Sequence, residues 1–231
     1  MSRENENKLE DRMKRNLLLI TKATSLKDGC LYSAAYSLVS SHRKNTVDRY
    51  LHLKDKYLSL AAEVLLNYGF RLLGEEIDLE EIKYGSKPYI EGKYHFNFSH
   101  SGEYTICAIS KDETGCDIEK KDAANLKIAK RFFHENEYRK IAAESDKEKQ
   151  NELFFDFWTA KEAFAKTLGT GISTPLGSFE IVFDDRIRVK QNINTDKYYF
   201  RKFGIDGYAL CTCCRNDEEF EFINIDIRDI L

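Results

Sequence analysis

With 231 residues, the chain is long enough for one large domain or two small ones. Its 42% apolar content supports a hydrophobic core, and its formal net charge of -3 argues against a general binder of nucleic acids or membrane surfaces. No apolar run approaches the ~20 residues that a membrane span needs. The charged segment 1–16 also lacks the apolar core of a signal peptide. These features predict a cytoplasmic protein with no nucleic-acid or membrane partner.

Hydrophobic periodicity predicts alternating strands and helices. In chain order, they are a strand at 16–21, helix formers at 33–45 ending in a basic cluster, a helix at 53–70, a turn at 83–90, two strands within 94–110, a strand opened by Gly115, helices at 125–143 and 151–169, and short strands beyond. The segments "HSGEYTICAIS" and "GIDGYALCTC" both run from a glycine turn through tyrosine into a cysteine-containing strand. We therefore predict an α/β (α+β) fold of two similar, pseudo-twofold-related halves, residues 1–112 and 113–231. Each half is expected to be a small, mostly antiparallel sheet packed on helices.

Two carboxylates stand on alternate positions of the short strand "GCDIEK". Side chains at i and i+2 of a strand share a face and lie ~7 Å apart along the backbone. Asp117 and Glu119 would therefore share one face, with Cys116 and Ile118 on the other. Hard oxygen ligands of this kind suit magnesium or calcium. On this pair alone, a solvated strand face is the simpler interpretation.

The helix "LFFDFWTAKEAFAKTLG" carries charges beside its apolar stripe. Lys161 and Glu162 follow Trp158 by three and four residues, and Lys166 lies one turn beyond Glu162. A surface ion pair or a snorkelling lysine would account for each charge separately. Together, a carboxylate and two lysines on or beside a packing face indicate a lined cleft.

Three further groups are weak indicators individually. Ser99 and His100 are expected at a bend, where hydroxyl, imidazole and backbone N–H groups suit an anionic oxygen. Arg43 and Lys44 are expected at a helix end, and Lys87 precedes a proline. Combined with three carboxylates, these groups are typical of a magnesium-dependent enzyme acting on a phosphate ester or anhydride. Neither a Walker loop nor a G-x-G-x-x-G fingerprint is present in the sequence.

The order "SKP", "FNFSHSGEY", "GCDIEK", "FFHENEY" and "FWTAKEAFAKTLGTGI" resembles the phosphopantetheinyl transferases. The resemblance is greatest to the longer type, which serves peptide and polyketide synthetases. It covers the chain from Arg43 to about Pro175 and, more loosely, the strands beyond. It implies that coenzyme A donates its 4'-phosphopantetheine arm to a serine of an apo acyl or peptidyl carrier protein, releasing adenosine 3',5'-bisphosphate. By length, the resemblance implies a monomer.

The resemblance also implies residue roles. Magnesium, with manganese as an alternative, would be held by Asp117, Glu119 and Glu162 against the pyrophosphate of coenzyme A. Glu162, or else Glu119, would take the proton of the carrier serine, directly or through a water. The lysines Lys161 and Lys166 would neutralise the pyrophosphate. The remaining coenzyme A contacts would come from the first half: Arg43 and Lys44 on the 3'-phosphate, Lys87 and Pro88 on the adenine, Ser99 and His100 on phosphate oxygens.

Some positions depart from the family pattern. Gly85-Ser86-Lys87-Pro88 stands where Gly-Lys-Pro is usual, and Leu58 replaces a usual arginine, for which Lys54 or Lys56 would have to compensate. Glu137 matches the Phe-x-x-x-Glu-Tyr position and is expected to orient its helix. The first 25 residues match nothing in the family. Two alternatives stay open: another magnesium-dependent phosphotransferase, and a non-catalytic coenzyme A or nucleotide-binding module.

Overall fold

A computed structural model of the chain describes residues 15–170 and 174–231. Residues 1–14 of the unmatched N-terminal segment, and Gly171 of the Gly-x-Gly motif, lie outside the described residues. Eleven strands are described: β1 (Asn16–Lys22), β2 (Lys83–Tyr84), β3 (Pro88–Tyr89), β4 (His95–Ser101), β5 (Tyr104–Ser110), β6 (Thr114–Lys120), β7 (Glu180–Phe183), β8 (Ile187–Lys190), β9 (Tyr199–Ile205), β10 (Tyr208–Cys214) and β11 (Phe220–Ile225). The α-helices in these ranges are α1 (Gly29–Leu38), α2 (Ser41–Arg49), α3 (Leu53–Leu72), α4 (Leu126–Phe132), α5 (Glu135–Ala143) and α6 (Lys147–Leu168).

The chain divides into two units. The first holds residues 15–111 together with Glu218–Leu231, and the second holds residues 112–217. The division before Asp112 lies one residue from the expected boundary, but the C-terminal segment belongs to the first unit. The reason is strand pairing: β11 lies parallel to β1, with Leu18 opposite Phe222.

In the first unit, one sheet has the strand order β11-β1-β5-β4. The long helix α3 packs against β5 and β1, and its range agrees with the helix expected at 53–70. β4 and β5 form the expected antiparallel pair, turning at Gly102, whose φ of 59° suits glycine. Leu65, Phe70 and Phe96 belong to the core between this helix and the sheet.

The helical stretch expected at 33–45 is two helices rather than one. α1 ends at Leu38, and the Ser40 hydroxyl accepts a hydrogen bond from the Arg43 backbone N–H, which caps a new helix. Arg43 and Lys44 therefore lie in the first turn of α2. The expectation that this basic cluster ends a helix is wrong, because the serine cap restarts the helix just before it.

In the second unit, a three-stranded sheet has the order β6-β10-β9, and α6 packs against β6 and β10. The helix expected at 125–143 is also split in two, because His134 caps α5: its side chain accepts the Asn136 N–H. The core of this unit is rich in aromatic side chains, among them Phe154, Phe157 and Phe164.

The α/β prediction is confirmed, with small, mostly antiparallel sheets packed on helices. Each unit contains an antiparallel strand pair under a long helix, β1–β5 with α3 and β6–β10 with α6. Cys107 of β5 lies opposite Leu19, and Cys211 of β10 lies opposite Asp117. The pseudo-twofold relation between the halves stays a prediction. Within residues 15–170 and 174–231, no helix is long and apolar enough to cross a membrane.

Candidate active site

The two acids of β6 lie on the face of the sheet that α6 covers. In the β6–β10 register, Asp117 is opposite Cys211 and Glu119 is opposite Ala209, and directly opposed residues share a face. Cys211 and Ala209 pack in the same core cluster as Ala163 of α6. The strand alternation expected from the sequence therefore directs both carboxylates toward the helix.

Gly115 allows α6 to approach this face closely. A Cβ atom at position 115 would lie 2.2 Å from the Ala163 carbonyl oxygen and 2.6 Å from the Thr167 backbone nitrogen. The Thr167 hydroxyl also donates to the Cys213 carbonyl oxygen of β10 at 3.0 Å. The glycine that precedes the acid pair thus sets how near the side chains of α6 come to Asp117.

Gly115→Ala is expected to push α6 away from β6. The added methyl group meets backbone atoms that cannot rotate aside, so we expect a loss of about 1–3 kcal/mol in the free energy of unfolding, together with reduced activity. Gly204→Ala is the matched control in the same sheet, because a Cβ atom there has no atom within 4 Å among the described residues. Urea denaturation compares the two variants. Equal stabilities would contradict the close-approach role of Gly115.

Lys166 forms an ion pair with Asp117. Its ammonium lies 2.6 Å from Asp117 Oδ1 and 3.2 Å from the Cys116 carbonyl oxygen. Burial lowers the pKa of Lys166, but the charges and hydrogen bond of Asp117 and its surroundings outweigh burial, so the net pKa is raised. Lys166 is therefore a cation at neutral pH, held beside a buried carboxylate.

Glu162 completes this group from the preceding turn of α6. Burial raises the pKa of its carboxyl, and the charge of Asp117 raises it further, while Lys166 opposes the shift. The negative charge of Asp117 thus disfavours ionisation of Glu162. A second cation between them would relieve that repulsion.

The chemistry of these donors fits magnesium, although a ligand cage is not preformed. In the described part of the chain, no three His, Cys, Asp or Glu side chains converge closely enough to hold a metal ion. Asp117, Glu119 and Glu162 nevertheless offer the hard oxygen donors that magnesium prefers. Glu119 is half-buried and shares its face with Asp117.

Lys161 does not join Lys166 in this group. Its side chain is completely buried, and its ammonium donates to Glu137 Oε1 at 2.7 Å and to the Phe179 carbonyl oxygen at 2.9 Å. Neighbouring helix residues differ by about 100° in direction, so Lys161 and Glu162 point to different surroundings. The expected cleft therefore contains Glu162 and Lys166, while Lys161 lies in the core.

Glu137 is the partner that holds Lys161 there. Besides the lysine, it accepts the Ile181 backbone N–H at 2.6 Å and the His134 backbone N–H at 2.9 Å. Burial raises the pKa of Glu137 and lowers that of Lys161 to about 8, with their mutual attraction opposing both shifts. The pair joins α5, α6 and β7, in agreement with the expected orienting role of Glu137.

In the first unit, the side chains of Arg43 and Lys44 have different surroundings. The Arg43 guanidinium donates to Glu63 Oε1 and to the Ser59 hydroxyl, both at 3.1 Å. The Lys44 ammonium donates to the Ser37 carbonyl oxygen at 3.4 Å and lies over the Tyr36 ring. The two basic residues are therefore neighbours in the chain that contact different elements.

Ser99 and His100 lie within β4 rather than at the bend, opposite Ile106 and Thr105 of β5. The expected position at the bend is wrong because strand pairing continues to Ser101. Consecutive strand residues point to opposite faces, so Ser99 is buried and His100 is exposed. His100 shares its face with Phe98, whose ring lies 5.7 Å from the Arg43 guanidinium carbon.

Lys87 and Pro88 lie in the β2–β3 hairpin, and both are half-buried. Tyr84 of this hairpin donates its hydroxyl to Glu63 Oε1 at 2.7 Å. Leu58, which replaces the usual arginine, is buried in the core and adds no charge. The sequence interpretation missed Glu63; its available signal was a carboxylate on the apolar face of the helix at 53–70.

A family model and two relatives agree with the motif resemblance. A family model described as the 4'-phosphopantetheinyl transferase superfamily matches residues 113–213. The chain is 35% identical to the 4'-phosphopantetheinyl transferase gsp of Aneurinibacillus migulanus over 85% of this chain and 84% of that protein. It is 32% identical to the 4'-phosphopantetheinyl transferase Sfp of Bacillus subtilis over 79% and 84%. A Bacillus anthracis holo-(acyl-carrier-protein) synthase structure, in complex with CoA (3',5'-ADP), covers 44% of this chain and 92% of its own at 22% identity and a TM-score of 0.37.

Proposed function

Because this chain belongs to the 4'-phosphopantetheinyl transferase superfamily, in its longer form, we propose that it converts apo carrier proteins to their holo form with coenzyme A as donor. In this reaction, a carrier serine oxygen bonds to the phosphorus that bears the pantetheine arm. The bond from that phosphorus to the bridging pyrophosphate oxygen breaks, and adenosine 3',5'-bisphosphate leaves. The serine proton passes to a base of the enzyme.

The observation that supports this proposal is the group formed by Asp117, Glu162 and Lys166 where α6 packs on β6. Asp117, Glu119 and Glu162 would hold magnesium, which supplies Lewis-acid stabilisation of pyrophosphate charge when bound. Glu162, with its raised pKa, is the preferred acceptor of the serine proton, and Glu119 is the alternative. Lys166 donates to the oxygen on which leaving-group charge develops.

Contacts to coenzyme A from the first unit remain part of the proposal. Arg43 supports a contact to the 3'-phosphate, because its two side-chain hydrogen bonds leave three of its five N–H donors for an anion. His100 lies on the same strand face as Phe98, against which Arg43 packs. The other expected contacts are Lys44, Lys87, Pro88 and Ser99. For Lys161, complete burial favours a role in positioning α6 over contact with phosphate.

The transfer itself is tested by intact mass. The protein is incubated with coenzyme A, magnesium and an apo carrier domain, and the carrier is weighed by mass spectrometry. A gain equal to one phosphopantetheine group is expected, and peptide and fatty-acid carriers tested side by side define the preferred partner. An unchanged mass across several carriers would refute the transferase assignment.

Metal removal is expected to stop the reaction without unfolding the protein. Excess EDTA should reduce transfer to background, and added Mg²⁺ should restore it, with Mn²⁺ as the alternative ion. The circular dichroism spectrum should not change, because packed apolar side chains form the core of each unit. Full transfer in the presence of the chelator would contradict the assignment of a magnesium site to the three carboxylates.

We also propose that the enzyme acts as a monomer. Both antiparallel strand pairs with their long helices are present in one chain, so a second copy is not needed to supply another such unit. Light scattering coupled to gel filtration measures the mass in solution. A dimer or trimer mass would contradict this proposal.

A further inference from the structure

Glu63 is a carboxylate buried inside the apolar face of α3. None of its surface is exposed, and its neighbours Ala62 and Val64 are also buried. A charge in such a position is costly unless it is bound by hydrogen-bond donors or opposite charges. Four donors satisfy this requirement, and they identify what Glu63 holds together.

The donors come from two other segments of the first unit. Glu63 Oε1 accepts Arg43 Nε at 3.1 Å, the Tyr84 hydroxyl at 2.7 Å and the Ser40 hydroxyl at 3.2 Å. Glu63 Oε2 accepts the Ser40 backbone N–H at 2.9 Å. One buried carboxylate therefore connects the start of α2, the middle of α3 and the β2–β3 hairpin.

Arg43 is held from several sides. Glu63 binds its Nε, the Ser59 hydroxyl accepts from Nη1, and the Phe98 ring lies 5.7 Å from its central carbon. Its side chain is 15% exposed. The guanidinium therefore offers a ligand the edge that faces away from Glu63. The hydrogen bond from Nε to Glu63 fixes this orientation.

Tyr84 is held in the same way. Burial raises the pKa of its hydroxyl to about 12, with Glu63 adding to the shift, so Tyr84 remains a donor at neutral pH. The His42 ring of α2 stacks on the Tyr84 ring at a centroid distance of 3.5 Å. The hairpin that carries Lys87 is thus anchored to α3 by the Tyr84–Glu63 hydrogen bond and to α2 by the ring contact with His42.

We propose that Glu63 is a positioning residue for coenzyme A: it fixes Arg43 and the Lys87 hairpin in the arrangement that binds the anionic nucleotide, without touching the ligand. This inference rests on the proposed function. Its physical basis is preorganisation, because a guanidinium already oriented in the unliganded protein loses less conformational freedom on binding. Because Glu63 binds Nε and Ser59 binds Nη1, the Nη2 group of Arg43 keeps its N–H donors for a phosphate oxygen.

Glu63→Gln tests this role with almost no change in shape. An amide has one accepting oxygen and a donating nitrogen, so neither orientation accepts all four donors. We expect the Kd for coenzyme A, measured by titration calorimetry, to rise about 10-fold, the effect of losing one charge-assisted hydrogen bond. In transfer assays the KM for coenzyme A should rise, with kcat nearly unchanged.

Glu80→Gln is the matched control. Glu80 Oε1 accepts the Ser41 backbone N–H at 2.7 Å and the Ser41 hydroxyl at 2.9 Å. It therefore supports the same end of α2 through the neighbouring serine, but it lies on the surface, and its side-chain hydrogen bonds in the described part of the chain go to Ser41 rather than to Arg43. Its Kd for coenzyme A should equal that of the wild type. An equal rise in both variants would mean that Glu63 only stabilises α2, and would overturn the proposal.

A double-mutant cycle separates positioning from general damage. In an Arg43→Met background, adding Glu63→Gln should weaken coenzyme A binding much less than in the wild type, because the arginine that it orients is gone. Dephospho-coenzyme A, which lacks the 3'-phosphate but keeps the adenine, should lose clearly less affinity than coenzyme A in Glu63→Gln, because only the hairpin contact is then disturbed. Full additivity in the cycle, or equal losses for both ligands, would overturn the role through Arg43.

Two further measurements keep the test decisive. If Glu63→Gln does not fold, Tyr84→Phe removes one donor from the same carboxylate and should raise the Kd for coenzyme A about 2–3-fold; an unchanged Kd would overturn the proposal.

Binding and transfer are measured separately. A wild-type protein that binds coenzyme A but modifies no carrier would refute the proposed function while leaving the binding role of Glu63 testable. A wild-type protein that does not bind coenzyme A would overturn this inference.

Discussion

Replacing Glu162 with Gln is expected to lower the rate of phosphopantetheine transfer by about 10²–10³-fold, the usual cost of removing one electrostatic group that stabilises a transition state. Glutamine keeps the size of the side chain but can neither hold magnesium as an anion nor accept the serine proton. The fold should survive, because burial and Asp117 raise the pKa of Glu162 and a neutral amide avoids that cost. A time course of carrier mass measures the rate.

Glu152→Gln is the control on the same helix. Glu152 is exposed on α6 and lies 3.9 Å from Lys121 in a surface ion pair. The transfer rate of the Glu152→Gln enzyme should therefore equal that of the wild type. Asp117→Asn should lose activity as Glu162→Gln does, but should also lose stability, because Asp117 binds Lys166. A Glu162→Gln enzyme with the wild-type rate would remove this residue from the mechanism.

Replacing Glu137 with Ala is expected to lower the free energy of unfolding by about 3–5 kcal/mol, the cost of breaking a buried ion pair from one side. The change leaves the Lys161 ammonium in the core with one neutral acceptor, the Phe179 carbonyl oxygen. It also removes the acceptor of the Ile181 N–H. Denaturation by urea, followed by tryptophan fluorescence, measures the loss.

The double variant Glu137→Leu with Lys161→Met should recover most of this stability, because both charges then leave the core together. Glu135→Ala, on the same helix, breaks an exposed pair with Arg139 and should cost at most about 1 kcal/mol. Similar losses for Glu135→Ala and Glu137→Ala would contradict a buried ion pair. A double variant as unstable as Glu137→Ala would show that the hydrogen bonds of Glu137, rather than its charge, maintain the fold.

Several features followed from local rules that the sequence already contains. Alternation along a strand placed Asp117 and Glu119 on one face, and the register with β10 agrees. The apolar period at 53–70 identified α3. Helix boundaries were harder to predict where a cap interrupts a helical composition: Ser40 and His134 each start a new helix by accepting backbone N–H groups. Such caps depend on single side chains, so composition averaged over a window does not detect them.

Motif and spacing by themselves determined the family, the acid pair and the helix that carries Glu162, because these depend on residue types at fixed short separations. Tertiary packing alone decided which lysine of that helix joins the acids. Lys161 and Lys166 lie in the same motif, yet one is buried against Glu137 and the other binds Asp117. Tertiary packing also brought Glu63 to Arg43 and Tyr84, across 20 and 21 positions of the chain. A charge in a core is determined by its partners, and partners distant in the chain meet only when the helices and strands pack.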